Sequence, residues 1–267
     1  MQIFGFSYEG YVLDTHILFP HVFLHNSSNL SKNNAIYKEC ADKFLQGKMH
    51  WIILPSNEDE FNRLILDSFR KFLEDIRTTV LRCDKTEEKR FWQKCESLIR
   101  AKKYPTDFLT YWHLNKASFS KWLSLDRDTI RKQEWLLLRE TLERYMELTD
   151  HAEIIIKKWA NPEHQKCSDE FQKVLKKLKA EELISQEAHD EDFSIISDCM
   201  VYRSYFLEYG LLYLVTNDSA CYSTVKSIIR FTTEKKETFC ISGYDCKYPH
   251  ELLATLKTLR PKKAKTS

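Results

Sequence analysis

The chain has 267 residues, of which 43% are hydrophobic and 30% charged, an ordinary composition for a globular protein with a sizeable core. It contains only 5 glycines, which argues against a loop-rich β protein and favours a largely helical one. No apolar run reaches the roughly 18 residues of a membrane span, and the first residues lack the basic start and apolar core of a signal peptide, so we expect a cytoplasmic protein without a membrane partner.

The net charge of +2 hides an uneven distribution of charged residues. Residues 183–222 carry seven acids and one base, whereas residues 223–267 carry ten bases and four acids. An acidic block of this kind is hard to keep in a folded protein unless cations compensate it. The basic end of the chain, residues 260–267, is predicted to be a flexible, solvated tail.

In chain order, residues 11–13 predict a short buried strand that ends on Asp14, and residues 51–54 predict a second strand that ends on Pro55. Helices are predicted at residues 33–46 and 57–76, where apolar residues recur at helical spacing. This strand–helix–strand–helix order indicates a parallel sheet with right-handed crossovers.

The strand signal disappears between residues 83 and 182, where helices are predicted at 89–102, 108–123, 130–159 and 169–178. We interpret residues 83–184 as a helical insertion into an α/β core made of residues 1–82 and 185–259. Basic residues alternate there with tryptophans, which suits nucleic-acid binding, although tryptophans at helical spacing more often belong to a core. Trp112, Trp122, Trp135 and Trp159 are among these tryptophans.

After residue 185, helices and strands are predicted to alternate again. Residues 190–206 predict a helix that is stopped by Gly210, and residues 211–215 predict a buried parallel strand that leads into Thr216 and Asp218. A short helix at 223–231, a last strand at 238–242 and a final helix that starts at Tyr248 are predicted to follow.

The eight cysteines are scattered without a CxxC pair, as expected for buried thiols in an intracellular chain. Cys240, Cys246 and His250 are the best candidates for a zinc site, but their spacing matches no standard zinc pattern.

Four acids lie at strand ends or helix starts, where a parallel sheet would gather them at one edge: Asp14, Glu60, Asp192 and Asp218. Carboxylates without histidine or cysteine select Mg²⁺ or Mn²⁺. Such a cluster is what two-metal hydrolysis of a phosphodiester needs. Each acid also has a structural interpretation as a turn or helix cap. The hydroxyl of Thr216 is expected to hold a carboxylate or a water at this site.

At these positions the chain resembles the PIN-domain nuclease family. The similar stretches are residues 12–18, residues 53–56 with Glu60 and Phe61, residues 192–196 and residues 214–218, and residues 248–253 are similar to the entry of that family's terminal helix. The resemblance covers about residues 8–80 and 186–257 and leaves out the helical insertion. It implies a PIN-like, doubly wound α/β fold and metal-dependent cleavage of single-stranded or structured RNA.

Two positions in the similar stretches call for comparison with the family's usual pattern. His16 stands where the family commonly has a small polar residue such as asparagine. Glu58, Asp59 and Glu60 are adjacent, and we choose Glu60 as the metal ligand because it follows Pro55 by five residues, a usual spacing in the family.

We therefore expect a metal-dependent endoribonuclease that binds nucleic acid, with the four acids as ligands of Mg²⁺ or Mn²⁺ and Thr216 beside them. The same residues leave open a nuclease-inactive nucleic-acid-binding or scaffold protein on this fold, and a DNA nuclease with the same chemistry. A homo-oligomer or a protein partner is also left open. Phosphatase-type hydrolysis is disfavoured because no second acid follows Asp14 by two residues, and no glycine-rich nucleotide-binding loop is present in the sequence.

Overall fold

A parallel β-sheet is the scaffold of the protein. The computed structural model describes residues 9–24, 30–47, 49–83, 86–102, 104–206, 210–235 and 243–258. Within them the strands are β1 (Glu9–Leu13), β2 (His50–Ile53), β3 (Ile154–Ile155), β4 (Leu211–Val215) and β5 (Tyr244–Lys247). They pair in the order β3-β2-β1-β4-β5, and every pair is parallel. The predicted α/β class with a parallel sheet is confirmed.

Helices make up most of the remaining described residues. They are α1 (Thr15–Leu24), α2 (Lys32–Leu45), α3 (Pro55–Asn62), α4 (Arg70–Leu81), α5 (Glu88–Ala101), α6 (Thr106–Lys121), α7 (Arg127–Asp150), α8 (Pro162–Ala180), α9 (Asp190–Tyr205), α10 (Ser219–Lys235) and α11 (Pro249–Thr258). A π-helical stretch (Arg63–Phe69) joins α3 to α4, and a 3₁₀ turn (Trp122–Ser124) follows α6. None of the helices in the described ranges is long and apolar enough to cross a membrane.

The alternation of side chains along each strand places apolar groups on both faces of the sheet. Val12 and Leu214 point to one face and join a buried cluster with Phe193 and other residues of α8, α9 and α10. Tyr11 points to the opposite face, where its ring lies 6.2 Å from that of Phe44 in α2. Helices on both faces bury most residues of β1, β2 and β4, as parallel sheets require.

The chain divides into two compact units. The first consists of residues 1–18, 31–59 and 148–267 and contains the sheet. The second consists of residues 19–30 and 60–147, so its bounds differ from those of the predicted insertion at 83–184. Its helices pack around aromatic side chains: Phe69, Phe72, Phe108, Tyr111 and Phe119.

The expectation that residues 130–159 form one helix is wrong. Helix α7 ends at Asp150, and β3 follows at the edge of the sheet beside β2. The amide of Ile156 continues this pairing by donating to the carbonyl of Ile53 at 2.9 Å. A two-residue strand carries too little local signal to be distinguished from a helix end, because its stability comes from the neighbouring strand.

Strand β5, which lies near the end of the chain, was not predicted from the sequence. The predicted strand at 238–242 lies outside the described residues, and so does the predicted basic tail at 260–267. Strand β5 begins directly after Gly243, whose φ of +84° is in the region that favours glycine. Cys240 of the candidate zinc trio also lies outside the described residues.

The tryptophans are mostly core residues. Trp112 and Trp122 are buried within the second unit, and Trp159 is buried within the first, so these three rings are not accessible to nucleic-acid bases. Trp135 is different, with 63% of its surface exposed on α7.

The sheet offers a matched test of where the fold derives its stability. Ile52 is fully buried in β2, and Ile155 in the neighbouring β3 is 41% exposed. Ile52→Ala is expected to lower the free energy of unfolding by about 2–5 kcal/mol, because it removes buried methyl groups and leaves a cavity. Ile155→Ala should lower it much less. Urea unfolding followed by circular dichroism measures both, and equal losses would contradict the assigned core.

Candidate active site

The centre of the sheet provides the candidate site. Strands β1 and β4 are neighbours, and the chain moves outward from them in opposite directions, to β2 and β3 on one side and to β5 on the other. In open α/β sheets, ligands bind at the carboxyl ends of the strands at such a switch point. Asp14 follows β1 there, and its amide extends the pairing by donating to the carbonyl of Val215 at 2.9 Å.

Thr216 connects the acids that follow the two central strands. Its hydroxyl donates a hydrogen bond to Oδ2 of Asp14 at 2.6 Å and accepts one from the amide of Asp218 at 3.0 Å. The residue is fully buried, and a hydroxyl has one proton to donate and lone pairs to accept with. This single side chain therefore fixes the spacing between Asp14 and the loop that carries Asp218.

The carboxylate of Asp218 lies at the start of α10. Its Oδ1 accepts hydrogen bonds from the amides of Ala220 at 2.7 Å and Cys221 at 2.9 Å, which is the geometry of a helix N-cap. Its Oδ2 accepts no hydrogen bond from the part of the chain that the structure describes. The cap orients the carboxylate and leaves one oxygen for another partner.

Asp192 joins these two acids from the first turn of α9. Its Oδ2 accepts a hydrogen bond from the amide of His189 at 2.7 Å, as in a capping box. Burial raises the pKa of Asp192, the His189 hydrogen bond opposes the rise, and the negative charges of Asp218 and Asp14 add to it. The three carboxylates are therefore close enough for their charges to interact.

The same three charges affect the pKa of a buried thiol, that of Cys221. Burial raises the pKa of Cys221 well above its ordinary value, and Asp14, Asp192 and Asp218 all contribute to the rise. Cys221 lies in the first turn of α10, so it is a second position at which the three charges meet. We call Asp14, Asp192 and Asp218 the acid cluster.

The donors of the acid cluster are of the chemical type that a hard divalent cation prefers. They are carboxylate oxygens, the ligands that Mg²⁺ and Mn²⁺ prefer, and Oδ1 of Asp192 and Oδ2 of Asp218 accept no hydrogen bond within the described residues. Over the same residues, no three histidine, cysteine, aspartate or glutamate side chains are grouped so that they could hold one metal ion. The complete ligand set therefore stays a prediction.

The start of α3 supplies a residue that the sequence analysis missed. Asn57 is buried, its Nδ2 donates to the carbonyl of Leu13 at 2.9 Å, and its Oδ1 accepts from the amide of Leu54 at 3.3 Å. These bonds tie the ends of β1 and β2 together directly beside Asp14. An asparagine four residues after a strand end is a local signal for such a bridge, since its amide can both donate and accept.

The glutamates of α3 have different surroundings. Glu58 is buried in the first unit, and its Oε1 lies 3.7 Å from Nζ of Lys157. Glu60, the predicted ligand, belongs to the second unit, and its place beside the acid cluster stays a prediction.

Asp198 holds three segments of the first unit together. Its carboxylate accepts hydrogen bonds from the amide of Ser56 at 2.9 Å, the hydroxyl of Ser168 at 2.8 Å and the indole N–H of Trp159 at 3.1 Å. Burial raises its pKa, and these hydrogen bonds oppose the rise. Asp198 thus anchors the start of α3 to α9.

The two histidines near the site contribute backbone groups. The amide of His16 donates to Oδ1 of Asp14 at 3.2 Å, and the amide of His189 binds Asp192 as described above. Both side chains are exposed.

Comparisons of the chain with protein-family models, with curated proteins and with solved structures give no match.

The raised pKa of Asp192 predicts a pH-dependent effect of Asp192→Asn. Between the ordinary aspartate pKa and the raised pKa of Asp192, the folded protein binds more protons than the unfolded chain, so this residue makes stability fall as pH rises. The variant removes the buried charge, while its side-chain oxygen can still accept from His189. It should unfold at a higher temperature than the wild type at neutral pH, with a gain that disappears toward acidic pH.

Thermal unfolding across a pH series measures this effect. Asp190→Asn is the matched control, because it removes a charge from the same helical turn at an exposed residue that is paired with Lys176. A gain of stability that is the same at every pH, or one that Asp190→Asn reproduces, would contradict the interpretation.

Proposed function

We propose that the protein is a metal-dependent endoribonuclease that hydrolyses phosphodiester bonds of single-stranded or structured RNA. The observation that carries this proposal is the convergence of Asp14, Asp192 and Asp218, which come from three distant segments, at the switch point of the sheet. Asp14 and Asp192 are 178 residues apart in the sequence. Three interacting negative charges at a ligand-binding edge need positive charge, and a divalent cation bound to a phosphate provides it.

In this proposal the acid cluster holds Mg²⁺ or Mn²⁺, with Glu60 completing the shell. When bound, such a cation lowers the pKa of a water and offsets the negative charge that develops on the phosphate during hydrolysis. Thr216 has a positioning role, because its hydroxyl orients the carboxylate of Asp14 and the backbone of Asp218. Asn57 holds the neighbouring strand ends in register, so that Asp14 keeps its place.

The resemblance to PIN-domain nucleases supports the same conclusion. The stretches that carry it supply Asp14, Asp192, Thr216 and Asp218, and the strand order is doubly wound about β1 and β4, as that resemblance implies. A PIN-like fold, an RNA partner and a cytoplasmic location belong to this proposal.

Substitution of the acids tests the proposal. With the purified protein, labelled single-stranded RNA and Mn²⁺, we expect cleavage that stops on chelation of the metal. Asp14→Asn and Asp218→Asn should each lower the cleavage rate by about 100-fold or more, and Thr216→Val, which replaces the hydroxyl with a methyl group, by about 10–100-fold. Asp190→Asn, at an exposed acid outside the cluster, should retain the wild-type rate.

The outcomes separate the alternatives. Full activity of Asp14→Asn and Asp218→Asn would reject the assigned site. Metal-dependent hydrolysis of single-stranded DNA but not RNA would identify a DNA nuclease. Binding of RNA without any turnover, together with no heat of Mn²⁺ binding in calorimetry, would identify a binding protein on the same fold.

A second pair of variants tests the choice of glutamate. Glu58 is partly neutralised by Lys157, so Glu58→Gln should leave the cleavage rate close to that of the wild type. Glu60→Gln should lower it by about 10–100-fold, since it would remove one of the charges that hold the cation. The measurement is the cleavage rate as a function of Mn²⁺ concentration. A reversed result would transfer the ligand role from Glu60 to Glu58.

A further inference from the structure

Three aromatic rings are stacked at the carboxyl edge of the sheet. The ring of Tyr222 lies 4.0 Å from that of Tyr248, with 13° between the planes. The ring of Tyr248 lies 5.5 Å from that of His250, with 12° between the planes. Tyr222 is in the first turn of α10, Tyr248 follows β5, and His250 is in the first turn of α11. We call these residues the ring stack.

The ring stack adjoins the acid cluster. Thr216 donates its amide to the carbonyl of Lys247 at 3.2 Å, and Tyr248 is the next residue along the chain. Tyr222 lies one helical turn after Asp218 and donates its amide to the Asp218 carbonyl at 2.9 Å. The rings thus stand on the β5 side of β4, and Asp14 stands on the β1 side.

The exposure of the rings argues against a purely structural stack. Tyr222 and Tyr248 are half-buried, whereas His250 is exposed. At the other end, Nζ of Lys226 lies 5.2 Å from the centre of the Tyr222 ring. The stack is therefore held by the protein at the tyrosines and presents an aromatic ring to solvent at His250.

We infer that the ring stack binds an unpaired base of a single-stranded nucleic acid and so places the adjoining phosphodiester at the acid cluster. Bases stack on aromatic side chains regardless of their identity, because every base has a π face. A base within a duplex is already stacked and paired, so this mode selects single strands. The inference rests on the proposed function and names the feature of the substrate that the site recognises.

The sequence composition of the segment that supplies two of these rings suits the same ligand. The segment that supplies Tyr248 and His250, residues 223–267, carries ten bases and four acids. Such an excess attracts the phosphate backbone without reading its sequence. A site built from stacking and backbone attraction is expected to bind strands of many sequences.

Fluorescence anisotropy of a labelled oligo(A) strand, measured with metal chelated so that no cleavage occurs, tests the inference. His250→Ala should weaken binding about tenfold, the size expected for the loss of one stacked base. His250→Phe and Tyr248→Phe keep the rings and should bind as the wild type does. Trp135→Ala removes an exposed ring from the second unit and serves as the control that leaves affinity unchanged. The same strand with abasic sites, and a duplex, should bind more weakly than the single strand.

Unchanged affinity in His250→Ala, or equal affinity for the abasic strand, would overturn the inference. Loss of binding in both His250→Ala and His250→Phe would also overturn it, since the ring would then not be what the ligand recognises. This readout is separate from cleavage. Ring-dependent binding without Mn²⁺-dependent cleavage would reject the nuclease and keep the ring stack as a binding site. Mn²⁺-dependent cleavage without ring-dependent binding would keep the nuclease and reject the ring stack.

Discussion

The hydrogen bond between the Thr216 hydroxyl and the Asp14 carboxylate depends on the parallel pairing of β1 and β4. That pairing sets the ends of two strands side by side although Leu13 and its partner Val215 are 202 positions apart in the sequence. A slip of two residues in the register would move Thr216 about 7 Å along the strand, out of reach of Asp14. The buried residues on both faces of the sheet prevent such a slip, because each strand is held by apolar contacts above and below it.

The buried negative charge of the acid cluster lowers the stability of the folded protein at Asp192. Burial and like charge raise the pKa of Asp192, so the ionised form of this residue destabilises the folded chain. Hydrogen bonds from backbone amides at the starts of α9 and α10 offset part of that cost. Charges that destabilise the fold are retained at functional sites when they bind a ligand of the opposite charge, and this is the physical basis for proposing a cation here.

The carboxyl edge of the sheet combines two kinds of surface. Next to β1 and β4 it presents carboxylates, and next to β5 it presents the ring stack. The two surfaces suit the two parts of a nucleotide, since a cation held by carboxylates binds its phosphate and an aromatic ring stacks on its base. The tryptophans of the sheet unit do not serve this purpose, because Trp51 and Trp159 are both buried, and Trp159 is hydrogen-bonded to Asp198.

Local pattern in the sequence determined β1, β2, β4 and most helices, because apolar periodicity and strand ends are properties of neighbouring residues. It also determined that Asp14 and Asp218 follow buried strands and that Asp192 starts a helix. Only the tertiary structure decided the strand order, the two-residue β3, the Asn57 bridge and the ring stack. These features depend on contacts between segments far apart in the chain. The pattern of neighbouring residues does not reveal them, because the stabilising partner lies in another part of the sequence.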